Sequence, residues 1–121
     1  YVILKCAKSG KKGRVNVDKR IFDEKEIAFI CEEIKRLFVV EKLIVFGVKR
    51  REVDNEVTDL DICVVCEHDD KNEWLKKAYL EIDSEIPFDI FLYTPSQWTE
   101  MIKQSESFAS RILRKGCVVY G

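Results

Sequence analysis

Two mixed apolar segments, "YVILKCA" and "RVNV", flank the polar stretch "KSGKKG" at the start of the chain. Glycines and lysines there suit an exposed turn, so residues 1–22 read as a short hairpin or extended arm. Helical spacing begins next. In "FDEKEIAFICEEIKRLFVV" the apolar positions Ile27, Ile30, Cys31, Ile34, Leu37 and Phe38 recur every three or four residues and predict a helix over 24–38. Asp23, with Glu26 three residues on, resembles its N-terminal cap. "KLIVF" and "LDICVVC" are continuous apolar runs rich in β-branched residues, the pattern of strands buried in a core. The polar stretch between them predicts a turn or short helix and a loop.

"KNEWLKKAYLEI" carries Trp74, Leu75, Ala78, Tyr79 and Ile82 on one helical stripe, a core-facing pattern. Pro87 interrupts it, and "FDIFLY" then alternates as a strand, with Phe88, Ile90 and Leu92 on one face. In "TPSQW", Thr94 is placed to cap a helix, Pro95 to open it and Gln97 to complete a capping box. Helices over 95–104 and 106–114 follow, the second ended by Arg114, Lys115 and Gly116. "CVVY" adds a last short strand or tail. The element order predicts an α/β layer structure, a small mixed central sheet flanked by helices, as one domain over 23–121.

Composition narrows the picture. The 121 residues suit a single core, and a hydrophobic fraction of 46% with 36% charged residues describes an ordinary globule. The net charge of −1 provides no broad positive field, so non-specific nucleic-acid binding is not expected and any phosphate site must be local. Five cysteines, at 6, 31, 63, 66 and 117, are an odd number in an unremarkable composition. A disulfide scaffold is therefore not expected, and a reducing, cytoplasmic setting is. No apolar run reaches membrane-spanning length and the N-terminus lacks the order of a signal peptide.

The candidate chemistry lies in "VFGVKRREVDNEVTDLDICVV". A strand repeats every two residues, so Asp59 and Asp61 point to one face with Cβ atoms roughly 6.5–7 Å apart. Asp89 opens the otherwise apolar "FDIFLY" on the face opposite Phe88, Ile90 and Leu92, and joins the same patch if the two strands are neighbours. Three carboxylates on one face are costly without cations, and two Mg²⁺ ions about 3.5–4 Å apart would relieve them. The plain alternative is that acids at strand entrances are solvated. Gly47, at the end of a buried strand, is where backbone N–H groups could approach a phosphate. Lys49, Arg50 and Arg51 either supply positive charge there or form a solvated turn balancing Glu52, Asp54 and Glu56. Cys63 and Cys66 have zinc-like spacing, but positions three apart on a strand face opposite sides, so they read as structural. His68 reads as a loop residue.

Gly47, Val48, ten intervening residues (49–58) and then Asp59-Leu60-Asp61 resembles the signature of the DNA polymerase beta-like nucleotidyltransferase superfamily. The likeness is closest to its minimal, stand-alone members and extends over residues 24–121. In that family the motif is Gly-Ser, ten residues, Asp-x-Asp, with a third acid on a later strand, where "PFDIFLY" has Asp89. The resemblance implies a nucleotidyltransferase fold in which Asp59, Asp61 and Asp89 hold two Mg²⁺ ions with a bound NTP, ATP being the expected donor. It implies in-line attack by a hydroxyl of a protein, small molecule or nucleic-acid end on the α-phosphate, with release of pyrophosphate. Gly47 and the amide of Val48 would cradle phosphates, with Lys49, Arg50 and Thr58 contributing charge and a hydroxyl.

Val48 stands where the family has serine. A lost hydrogen bond to a charged group costs roughly 1.5–3 kcal/mol, and by that pattern Val48→Ser should hold or raise activity. Minimal members of the family pair with a small all-helical protein in toxin–antitoxin systems, which makes such a partner, with this chain as the antitoxin half, one implied setting. Two alternatives stand beside the enzyme. One is a nucleotide- or partner-binding module of the same fold with chemistry impaired at Val48. The other is a structural divalent-ion site, partly supplied by "EVDNEVTD".

Overall fold

The apolar stripe at three- and four-residue spacing forms helix α1 (Lys25–Leu37), which buries Ile27, Ile30, Cys31 and Ile34. The computed structural model describes residues 25–121, so the arm expected over 1–22 and the Asp23 cap lie outside the described residues. Strands β1 (Val40–Arg50) and β2 (Val57–Cys66) follow as an antiparallel hairpin. Helix α2 (Lys71–Glu81) crosses over to strand β3 (Phe88–Tyr93), which runs parallel to β2. Helices α3 (Pro95–Met101) and α4 (Phe108–Lys115) lead into strand β4 (Cys117–Tyr120), antiparallel to β1. The sheet order is β3-β2-β1-β4, a four-stranded mixed sheet in a small α/β domain.

Helices cover both faces of this sheet. One core packs α1 and α2 against Leu43, Val45, Val48, Leu60, Ile62, Val64, Ile90 and Leu92. The other packs Trp98 of α3 and Ala109 and Ile112 of α4 against Ile44, Phe46, Cys63 and Val65. Neighbouring residues of β1 and β2 thus enter opposite cores, which is why "KLIVF" and "LDICVVC" read as unbroken apolar runs. Cys66 belongs to the first core and Cys63 to the second. One metal ion cannot reach both, and burial pushes the Cys63 thiol up to about 12.

Between β1 and β2 the structure departs from the expected turn or short helix and loop. Val48 and Val57 are buried and extend the apolar alternation, so the ladder runs on to Arg50 and restarts at Val57. Only a tight connection remains. Arg51 N–H donates to the Glu56 carbonyl at 2.9 Å, and Asn55 N–H to the Arg51 carbonyl at 2.8 Å. Asn55 takes the left-handed conformation, φ 62°, which asparagine adopts more readily than most residues. The Arg51 guanidinium grips both Asp54 carboxylate oxygens at 3.0 and 2.6 Å and holds that carboxyl below its usual range.

The capping box at α3 forms as the sequence predicts: Gln97 N–H donates to Thr94 Oγ1 at 3.1 Å and Thr94 N–H to Gln97 Oε1 at 2.9 Å. The helix stops at Met101, short of the expected 104, for a local reason. Ser107 Oγ donates to the Met101 carbonyl at 2.6 Å and accepts from Ser110 N–H at 3.0 Å, so one hydroxyl closes α3 and caps α4. After α4 the chain turns at once into β4. A Cβ on Gly116 would lie 2.5 Å from Ile44 Cγ2 and 2.7 Å from the Ile112 carbonyl oxygen, so only glycine fits that approach.

Tyr79 differs from its expected core position. It is 42% exposed, and its hydroxyl accepts the Ile90 N–H at 2.8 Å, closing part of the open edge of β3. Among the described residues no helix is long and apolar enough to cross a membrane.

Candidate functional site

Strand direction decides where the acids collect. Asp59 and Asp61 precede Cys63 and Val65 on one face of β2, and Asp89 precedes Phe91 and Tyr93 on the same face of β3. The two strands are parallel, so all three acids fall at one end of the sheet, with Asp61 beside the stretch that α4 covers. Asp61 and Asp89 stand directly in register across the β2–β3 ladder. Neighbouring strands lie about 4.8 Å apart, so the two carboxylates are close enough to repel. Burial pushes the Asp61 carboxyl above its usual range, and the Asp89 charge adds to the rise. Both acids also reach electrostatically to Tyr79, whose phenol burial holds above its ordinary value.

Asp59 lies one pleat toward the hairpin, half-buried and in register with Lys49 of β1. Among the described residues, no three acidic, histidine or cysteine side chains are gathered into one ligand group. Asp61 and Asp89 thus stand joined across the ladder, and Asp59 shares their face of the sheet one pleat away. The joined pair fits Mg²⁺, which is often held by one or two carboxylates and completes its shell with water and phosphate oxygens. Two mutually repelling carboxylates are also the kind of donor set that a hard divalent ion relieves.

The proposed phosphate-binding residues fare differently. Gly47 does not end its strand: it is buried inside β1, paired with Asp61, beside a ladder irregularity between Val45 and Gly47. No open turn follows it, because the buried Val48 keeps the chain extended. Val48 is fully buried in the core on the far side of the sheet, paired with Leu60, so its side chain turns away from the acids. Arg50 Nη1 donates to the Asn55 carbonyl at 3.0 Å, and Thr58 Oγ1 to the Lys49 carbonyl at 3.3 Å. Both groups thus help close the hairpin. Lys49 is exposed opposite Asp59.

The structure adds groups that periodicity alone did not single out. Asp61 opens into a cleft of about 280 Å³ lined by Phe46, Phe91, Phe108, Arg111, Ile112 and Lys115. Positions 108, 111, 112 and 115 follow helical spacing along α4, a signal present in the sequence but without meaning until the helix is placed over the sheet. His68 lies at the opposite end of the sheet, its Nδ1 2.8 Å from the Cys66 carbonyl oxygen, and takes no part in this site. Comparison with known protein families, curated proteins and solved structures finds no match for the chain.

Proposed function

We propose that this chain is a Mg²⁺-dependent nucleotidyltransferase with a DNA polymerase beta-like fold, transferring a nucleoside monophosphate from an NTP, with ATP the expected donor. The acceptor is a hydroxyl of a protein, small molecule or nucleic-acid end. A small helical protein is the expected partner, in the manner of a toxin–antitoxin pair. One observation carries the reading: Asp61 and Asp89, far apart in the chain, stand in register on one face of adjoining strands. The spacing of Gly47 from Asp59-Leu60-Asp61 supports it.

Magnesium, when bound with the nucleotide, would neutralise triphosphate charge and acidify the acceptor hydroxyl. The protein's part is to fix the geometry. Asp61, half-buried between strands, is a rigid anchor, whereas Asp89 is exposed and can pass a proton to water. The acceptor oxygen forms a bond to the α-phosphorus as the bond from that phosphorus to the α–β bridging oxygen breaks. Pyrophosphate leaves with the bonding pair, and the hydroxyl proton goes through Asp89 to solvent.

A second reading, a binding module with weakened chemistry, is favoured by a specific observation. The side chain at 48 is buried away from the acids, and Gly47 sits inside a strand. The two separate in one assay. The purified chain is incubated with Mg²⁺ and ATP labelled on the α- or the γ-phosphate, with and without the product of the adjacent gene. The enzyme reading predicts transfer of α-label but not γ-label, lost in Asp61→Ala and Asp89→Ala and kept in the exposed control Asp83→Asn. Partner binding without any transfer would favour the module.

A further inference from the structure

The face of α4 that meets the sheet combines aromatic and cationic side chains in a way that no core requires. Phe46, Phe91 and Phe108 form a closed trio with ring centroids 5.2, 5.7 and 5.4 Å apart. The rings meet at interplanar angles of 68°, 85° and 59°, edge-on or tilted, so none of the three stacks face to face on another. Phe108 remains 40% exposed. Phe46 is buried beneath the other two rings, so the ring surface left for a planar ligand belongs to Phe108 and the half-buried Phe91. Arg111 and Lys115 project from the same helix face at the cleft, and neither forms an ion pair with Asp61 or any other carboxylate among the described residues. An aromatic wall, two cations not engaged in ion pairs and a carboxylate at the edge complement a ligand that is aromatic at one end and polyanionic at the other, escorted by a divalent cation.

We infer that this cleft is the nucleotide site: the nucleobase of a nucleoside triphosphate packs on the Phe46–Phe91–Phe108 cluster, and its phosphates run past Arg111 and Lys115 toward Asp61. The role of Asp61 rests on the nucleotidyl-transfer reading; the aromatic and cationic contacts do not. A volume of about 280 Å³ lies just below the usual ligand-pocket range, about 300–1,000 Å³, and suits one ring system with the phosphates outside it. The cleft also replaces what the hairpin does not provide, because it puts positive charge beside Asp61 without any turn at Gly47.

The test is equilibrium binding of ATP and of inorganic tripolyphosphate in Mg²⁺, by calorimetry, on the full chain. The variants are Phe108→Ala, Arg111→Gln and Lys115→Gln, each checked for a cooperative melting transition above the assay temperature; Arg111 and Lys115 are exposed, and Phe108 is 40% exposed. Arg111→Gln and Lys115→Gln should each weaken both ligands about tenfold. Phe108→Ala should weaken ATP by about tenfold or more and leave tripolyphosphate unchanged. Wild-type binding that all three variants share would overturn the inference, as would failure of ATP to bind or equal affinity for the two ligands. Binding with the expected pattern but no label transfer in the assay above would uphold the cleft and defeat the transferase reading. Transfer by all three variants at the wild-type rate and wild-type KM would do the reverse.

Discussion

Asp61→Asn should stabilise the metal-free protein at neutral pH while reducing nucleotidyl transfer at least about a thousandfold, on the basis that one lost metal ligand removes about 4 kcal/mol of transition-state stabilisation at 1.36 kcal/mol per factor of ten. The stability gain follows from the environment of the side chain. Burial and the Asp89 charge raise the Asp61 carboxyl above its ordinary 3.8, so the folded state holds that proton more tightly than the unfolded chain does. Stability therefore falls as pH rises through the raised value, and the penalty persists at neutrality. Below 3.8 both states are protonated and the penalty vanishes. The difference in melting temperature between Asp61→Asn and wild type, in chelator, should thus be a few degrees at neutral pH and close toward zero as pH drops into the carboxylate range. It is modest because solvent screens a half-buried group. A variant less stable than wild type at neutral pH would mean that Asp61 serves the fold and not a ligand.

Val48→Ser should destabilise the protein by about 2–4 kcal/mol, because it removes a buried valine side chain and strands a hydroxyl in the core. For a domain of this size that is a fall in melting temperature of about 10 °C or more. The motif alone implies the contrary: serine belongs at this position and should hold or raise activity. The stability loss is expected because Val48 is fully buried among Leu60 and its neighbours on the face away from the acids. A urea midpoint equal to wild type, together with raised transfer, would show that residues 47 and 48 form a phosphate-binding turn and that β1 ends before them.

Much of the fold was legible because short-range rules settle it. The stripe from Ile27 to Ile34, the alternation of Phe88, Ile90 and Leu92 and the Thr94–Gln97 box each need only a few neighbours, and each forms where expected. Gly47 misled because glycine is read as punctuation, whereas Val48 and Val57 continue the buried alternation and outweigh it. Tyr79 has helical spacing for the core, yet the unpaired N–H of an edge strand draws its hydroxyl outward.

The site was legible only in part. A period of two places Asp59 with Asp61, but that Asp89 pairs with Asp61 and not with Asp59 is a matter of register between strands joined through α2. Register emerges from packing both faces of the sheet at once. Arg111, Lys115 and Phe108 were hidden for a similar reason. On an isolated helix they are a surface pattern, and only the placement of α4 over β1, β2 and β3 brings them to Asp61.

The most direct measurement is the binding of Mn²⁺, as a paramagnetic stand-in for Mg²⁺, by electron paramagnetic resonance in the presence of a non-hydrolysable ATP analogue. Wild-type protein should bind the ion tightly, and both Asp61→Asn and Asp89→Asn should release it, with Asp83→Asn indistinguishable from wild type. If the metal stays bound when either Asp61 or Asp89 is neutralised, those two carboxylates do not form its site, and nucleotidyl transfer from this face of the sheet is contradicted.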